Sequence, residues 1–287
     1  AWWCMTDPES TRAGFRPFII ALWAGHAINT VTPGAALGEV FKGTMMKDRI
    51  DPPELVASLV SFNFLSTLVT GLFTLLGPLA ALVLLDLPGP VLWSLLFAAG
   101  LALMPALLML LLLRIGAAHR AVRLAARLPG LRNRLRHPEA LLAKAEAIDQ
   151  RIRRFPKRRP KRFALALLCL VGVRLMQVAE VWVLLCALMP DKGPGWLLLL
   201  AMVTQSASQL IAWVMTFIPS QVGVAESGSA LLFRLLGMDP LLGLSMEVAR
   251  RVRKLLGTAI GLSLAWLYMP KPKDALNPET PIQSAGN

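Results

Sequence analysis

A chain of 287 residues that is 55% hydrophobic, with a mean hydropathy of +0.58, exceeds the apolar content of ordinary soluble domains. Its apolar residues fall in runs long enough to cross a bilayer, which argues against a soluble protein built round a large core. The net charge of +13 does not signal nucleic acid, because sixteen arginines and lysines set against Glu139, Glu146 and Asp149 place all of it between residues 114 and 162.

In chain order, Ala1-Trp2-Trp3-Cys4-Met5 reads as the end of an apolar segment, so a first helix is expected to be missing ahead of it. No signal peptide is read there. Residues 18–32 are apolar but short and are interrupted by Pro33-Gly34. They are either the end of a span or a helix that enters the bilayer and turns back. Residues 55–85 exceed the ~20 needed to cross and must tilt, bend or be shielded, with Gly77-Pro78 as the expected bend. A turn at 86–90 leads to a span at 91–113, with Trp93 as an interfacial anchor. The basic linker 114–162 has apolar residues at helical spacing among its arginines. This fits broken amphipathic helices on an anionic lipid surface, the alternative being a solvated loop. The positive-inside rule puts the linker in the cytoplasm.

Residues 163–189 form a span carrying Arg174, Gln177 and Glu180. Residues 196–217 form another, with Thr204, Gln205, Ser206, Ser208 and Gln209 in its middle, ended by Ile218-Pro219. Residues 223–237 are too short to cross comfortably. The last stretch, 241–269, is interrupted by Arg250, Arg251, Arg253 and Lys254, and the tail 270–287 is expected to be disordered. The fold class is therefore all-α, a polytopic integral membrane helix bundle with two Pro/Gly-broken, re-entrant segments. It divides into an N-terminal membrane half (1–113), the linker, a C-terminal membrane half (163–269) and the tail.

Ionisable groups inside membrane segments are expensive and point to a protein interior, a water-filled cavity or function. Four places qualify. The first runs from Asn29 through Pro33, Gly38 and Glu39 to Lys42, a broken stretch directly after an apolar helix, tolerated where it lines a cavity. The second has the same grammar in Pro219, Gly223 and Glu226. Paired interrupted segments in two halves are a pointer to a transport site, although the spacings differ and duplication is only suggested. The third is 247–254, where Glu247 faces Arg250 and Arg251 one turn on and the cations form a face suited to a phosphate. A juxtamembrane basic cluster is the plainer alternative. The fourth is the stripe Arg174, Gln177, Glu180, for which a structural hydrogen-bond seam between helices is the default.

His26 is alone in an apolar helix and reads as a helix-contact residue, while His119 and His137 fall in the linker. Cys4, Cys169 and Cys186 lack metal-ligand or redox spacing and read as small fillers. No zincin, nucleophile-elbow or phosphate-loop motif is present, and the glycines of 25–43 follow no strand, so no metal, cofactor or enzymatic activity is expected.

At its two Pro–Gly–Glu loops the chain resembles the flippase-like membrane region of lysylphosphatidylglycerol synthases and their stand-alone relatives. Asn29, Pro33, Gly38 and Glu39 match that family's early N-x-x-x-P…G-E segment. Pro219, Gly223 and Glu226 match its late P-x-x-x-G-x-x-E motif, and Arg250 or Arg251 the arginine of the next helix. The early loop departs in lacking a second glycine before Glu39. Glu180-Val181-Trp182 and residues 196–261 look most like the hopanoid-biosynthesis-associated subgroup. The resemblance covers about residues 20–50 and 165–268. It implies movement of a lipid or lipid-linked intermediate between leaflets of the bacterial inner membrane, and transfer of lysine to lipid is not expected. On that reading Glu39 and Glu226 pair with Arg250, Arg251 or Arg174, or exchange a proton, and the arginines hold a headgroup. Membrane lipids and lipid-biosynthesis enzymes are the expected partners. The competing readings are a non-transporting scaffold of a lipid-biosynthesis complex and an intramembrane enzyme using its carboxylates as acid and base.

Overall fold

The computed structural model describes residues 1–32, 37–84, 158–215 and 223–268, together with individual positions within 93–111 and 146–155. Pro33, Pro219, the turn at 86–90, most of the 91–113 span, most of the basic linker and the tail lie outside the described residues. The described part is predominantly helical, with no strand beyond an isolated bridge between Thr11 and Ile50. Its helices are α1 (Trp2–Met5), α2 (Phe15–Val31), α3 (Leu37–Met46), α4 (Pro52–Thr74), α5 (Leu76–Leu84), α6 (Pro160–Leu188), α7 (Pro194–Val214), α8 (Val224–Leu235) and α9 (Pro240–Tyr268).

Local chemistry sets these boundaries. Helices α4, α6 and α7 each begin on a proline, where the missing N–H is one that a first turn cannot use. Thr74 ends α4, and Pro78, four residues on, has no N–H to give its carbonyl. The long apolar run of 55–85 therefore breaks at Leu75, three residues ahead of that proline. Helix α8 closes at Gly237, whose φ of +69° lets Met238 N–H reach Phe233 O at 2.9 Å and its own N–H reach Arg234 O at 3.1 Å, a glycine-terminated helix end.

Among the described residues, three helical stretches are long and apolar enough to cross a membrane: Pro52–Leu82, Pro160–Leu188 and Pro194–Val214. Most side chains of each span face outward rather than into the protein, as expected where lipid is the solvent. This is a polytopic membrane protein.

Two helical hairpins organise it. Helices α2 and α3 run antiparallel, with Gly25 against Lys42 and Gly38, and Asn29 against Gly38. A Cβ on Gly38 would stand 2.0 Å from Gly25 O, so this crossing requires glycine. Helices α7 and α8 form the second hairpin, with Ile211 against Gly228. Helix α9 spans both. Its first half lies on α8 through Gly243 against Ser229 and Phe233, and its second half on α2 through Gly261 against Ala27 and Trp23. The largest apolar cluster joins Val181 and Leu185 of α6, Leu197 and Leu200 of α7, Phe233 of α8 and Met246 of α9. A second joins Trp2, Phe18, Met46 and Leu55. Beside it the end of the basic linker docks on the N-terminal segment: Arg159 pairs with Asp7 (3.1 Å) and Glu9 (2.7 Å), and Arg162 donates to Thr6 O (3.0 Å).

Candidate functional site

The first hairpin carries a closed polar cluster. Glu39 sits in the first turn of α3. Its Oε1 accepts from Lys42 Nζ at 2.6 Å and from Asn29 Nδ2 at 3.4 Å, and its Oε2 accepts from Asn63 Nδ2 of α4 at 2.8 Å. Asn29 Oδ1 in turn takes the Gly38 N–H at 2.7 Å. Lys42 is buried, its stem lying over Gly25 and its ammonium 5.9 Å from the centre of the Phe62 ring. One carboxylate, one ammonium and two amides satisfy each other, so the charges cancel locally. The partner of Glu39 is Lys42 rather than an arginine of the C-terminal half.

The second cluster is built by α6 to α9. Glu226, in the first turn of α8, reaches back to the Gly223 N–H at 2.9 Å, where φ is +82°. This caps the helix in the manner of a capping-box glutamate. Its other oxygen is paired with Arg251. On α9, Arg250 pairs with Glu247 at 3.1 Å, the one-turn contact that their spacing predicts, and crosses to α7 to donate to Gln205 Oε1 (2.9 Å) and Ser208 Oγ (3.2 Å). Arg251 points to Glu226 instead of Glu247. Arg253 Nε meets Glu180 Oε1 of α6 at 2.5 Å. Arg174 does not join a carboxylate among the described residues and donates to Gln177 Oε1 at 2.8 Å.

Arg250, Arg251, Arg253 and Lys254 of α9 line a cavity of about 160 Å³ together with Gln177, Gln205, Gln209 and Glu247. Of the predicted site residues, Arg250 and Arg251 line this space, Glu226 and Glu180 reach it only through their pairs with Arg251 and Arg253, Arg174 lines a smaller neighbouring space, and Gly223 caps α8. Asn29, Gly38 and Glu39 form the separate cluster above. Lys42, Lys254 and Arg253 all stand within electrostatic reach of His26 of α2, so the two clusters are near neighbours. The sequence reading does not single out Asn63, although one amide in an apolar span is a signal in itself. It names Lys42, Gln205, Ser208, Arg253 and Lys254 without making them site residues. Among the described residues no group of His, Cys, Asp and Glu could hold a metal ion.

Apolar spans beside a charge-lined space define a helical membrane protein. The family model of the lysylphosphatidylglycerol synthase TM region matches residues 1–261, and the chain belongs to that family, which links it to lipid handling in a membrane. It has no match among curated proteins or among solved structures.

Proposed function

We propose that the protein moves a lipid or lipid-linked intermediate between leaflets of the bacterial cytoplasmic membrane, without catalysing a covalent reaction. The observation that carries this reading is the cavity between α6, α7, α8 and α9. It gathers four cations and four polar side chains inside helices whose outer surfaces are apolar. Charges at that depth are expensive unless paired or solvated, and a polar space beside lipid lets a headgroup cross while its tail stays in the bilayer. The two hairpins, each broken by a proline-containing segment, are re-entrant on this reading. Such breaks present freed backbone groups to a polar substrate. Family membership supports a lipid substrate, and the resemblance to the hopanoid-associated subgroup makes a hopanoid-related lipid the first candidate. Coupling comes from an ion or lipid gradient. The linker lies in the cytoplasm on anionic lipid, near partner enzymes of lipid biosynthesis.

The test is movement of labelled lipid in proteoliposomes carrying wild type, Glu226→Gln or Arg250→Ala, together with mass spectrometry of co-purifying lipids. Faster movement by wild type than by both variants is expected, with one lipid enriched on the wild type alone. Equal rates and the same bulk phospholipid on all three would overturn the transport reading in favour of a scaffold.

A further inference from the structure

Arg174 stands halfway along the apolar span α6. Among the described residues no carboxylate lies within hydrogen-bonding or electrostatic reach of it. Its one partner is the Gln177 amide oxygen, at 2.8 Å. In this it differs from Arg250, Arg251 and Arg253, which each meet a glutamate. A guanidinium among apolar spans is costly unless a counter-charge or water stands beside it.

Arg174 faces a space of about 20 Å³ at the junction of α4, α6 and α7, and no residue of α8 or α9 lines it. Gln177, Gln205 and Gln209 supply its polar wall. The amide oxygens of Gln177 and Gln205 are taken by Arg174 and Arg250, which leaves their NH2 groups as donors, and Gln209 makes no hydrogen bond among the described residues. The Thr70 and Thr74 hydroxyls donate to Ser66 O and Thr70 O of their own helix, at 2.6 and 2.9 Å, so the free donors come from α6 and α7. A small particle needs at least ~10–15 Å³ of such space, so there is room for one water or one monatomic ion and nothing larger. An unmatched positive charge beside unspent amide donors selects the anion.

We infer that this space binds one monatomic anion of the halide class, with Arg174 as its counter-ion and the glutamine amides as its hydrogen-bond donors. The site is distinct from the cavity against α9 and does not depend on the transport reading: lipid movement without a halide site removes this inference alone, and a halide site without lipid movement leaves it standing.

The experiment is binding of radiolabelled chloride to the purified chain in neutral detergent, with sodium gluconate holding ionic strength constant. Wild type should bind saturably, with bromide competing and sulfate not. Arg174→Met should weaken binding by at least about tenfold and Gln209→Leu by about fivefold, the scales of a charge-assisted and a neutral hydrogen bond. Arg159→Ala, which removes a distant charge, should leave it unchanged. Chloride should also raise the unfolding midpoint of wild type, because it binds the folded chain, and should not raise that of Arg174→Met. Absence of saturable binding means that the space holds water only and overturns the inference. So does competition by sulfate equal to that by bromide, unchanged binding in Arg174→Met, or an equal loss in Arg159→Ala. If Arg174→Met does not fold, wild-type selectivity and Gln209→Leu decide.

Discussion

Replacing Gly38 with alanine tests whether the first hairpin depends on a glycine crossing. The new Cβ would lie 2.0 Å from Gly25 O, 2.4 Å from Asn29 Oδ1 and 2.5 Å from Asn29 Cγ. All are far inside contact distance, and the nearest is backbone, so no side-chain rotation relieves it. Helices α2 and α3 must part, at an overpacking cost of about 1–3 kcal/mol. Parting them also removes the 2.7 Å hydrogen bond from Gly38 N–H to Asn29, worth about 1 kcal/mol. The better helix propensity of alanine returns about 1 kcal/mol, leaving a net loss of about 1–3 kcal/mol. For a chain of this size that is about 2–10 °C in midpoint. Gly43, on the same helix with nothing within 4 Å of a Cβ, is the matched control, and Gly43→Ala should be neutral or slightly stabilising. Thermal unfolding in detergent, followed by tryptophan fluorescence, reads both. A Gly38→Ala protein as stable as Gly43→Ala would refute the close crossing and with it the arrangement of Asn29 and Glu39.

Three further outcomes are expected. Lys42→Met leaves Glu39 with amide partners only and should cost about 2–4 kcal/mol, whereas the double variant with Glu39→Gln should recover part of that loss in a mutant cycle of unfolding midpoints. Trp2→Ala removes a fully buried ring that meets Phe18 edge-on at 4.9 Å and donates to Ser58 at 3.1 Å. It should cost about 3–5 kcal/mol, and an unchanged midpoint would show that α1 does not dock as described. Arg159→Ala loses pairs with partly exposed partners, and should shift stability by at most about 1 kcal/mol, a shift that 0.5 M salt abolishes in the same melting assay.

The membrane spans were legible because twenty apolar residues in a row have few other uses, and the break in the long run of 55–85 because Pro78 removes one particular hydrogen bond. The Glu247–Arg250 pair was legible from helical spacing. Pairings between helices were not. Glu39 with Asn63, Arg250 with Gln205 and Glu180 with Arg253 are 24, 45 and 73 residues apart, and no periodicity links residues across helices. The reading that arginines hold a headgroup rests on the helical spacing of 247–254 and on the family resemblance. Only the packing shows Arg250, Arg251 and Arg253 each beside a carboxylate.

Helix α9 touches α8 along one half and α2 along the other. At 29 residues it is a rod of roughly 43 Å, gripped at both ends through glycine contacts that tolerate little separation. Helix α9 is thus the element that ties the two hairpins together. The cavity residues Glu247 to Lys254 sit on the rod between its two grips, so the wall they form is held in place from both hairpins at once.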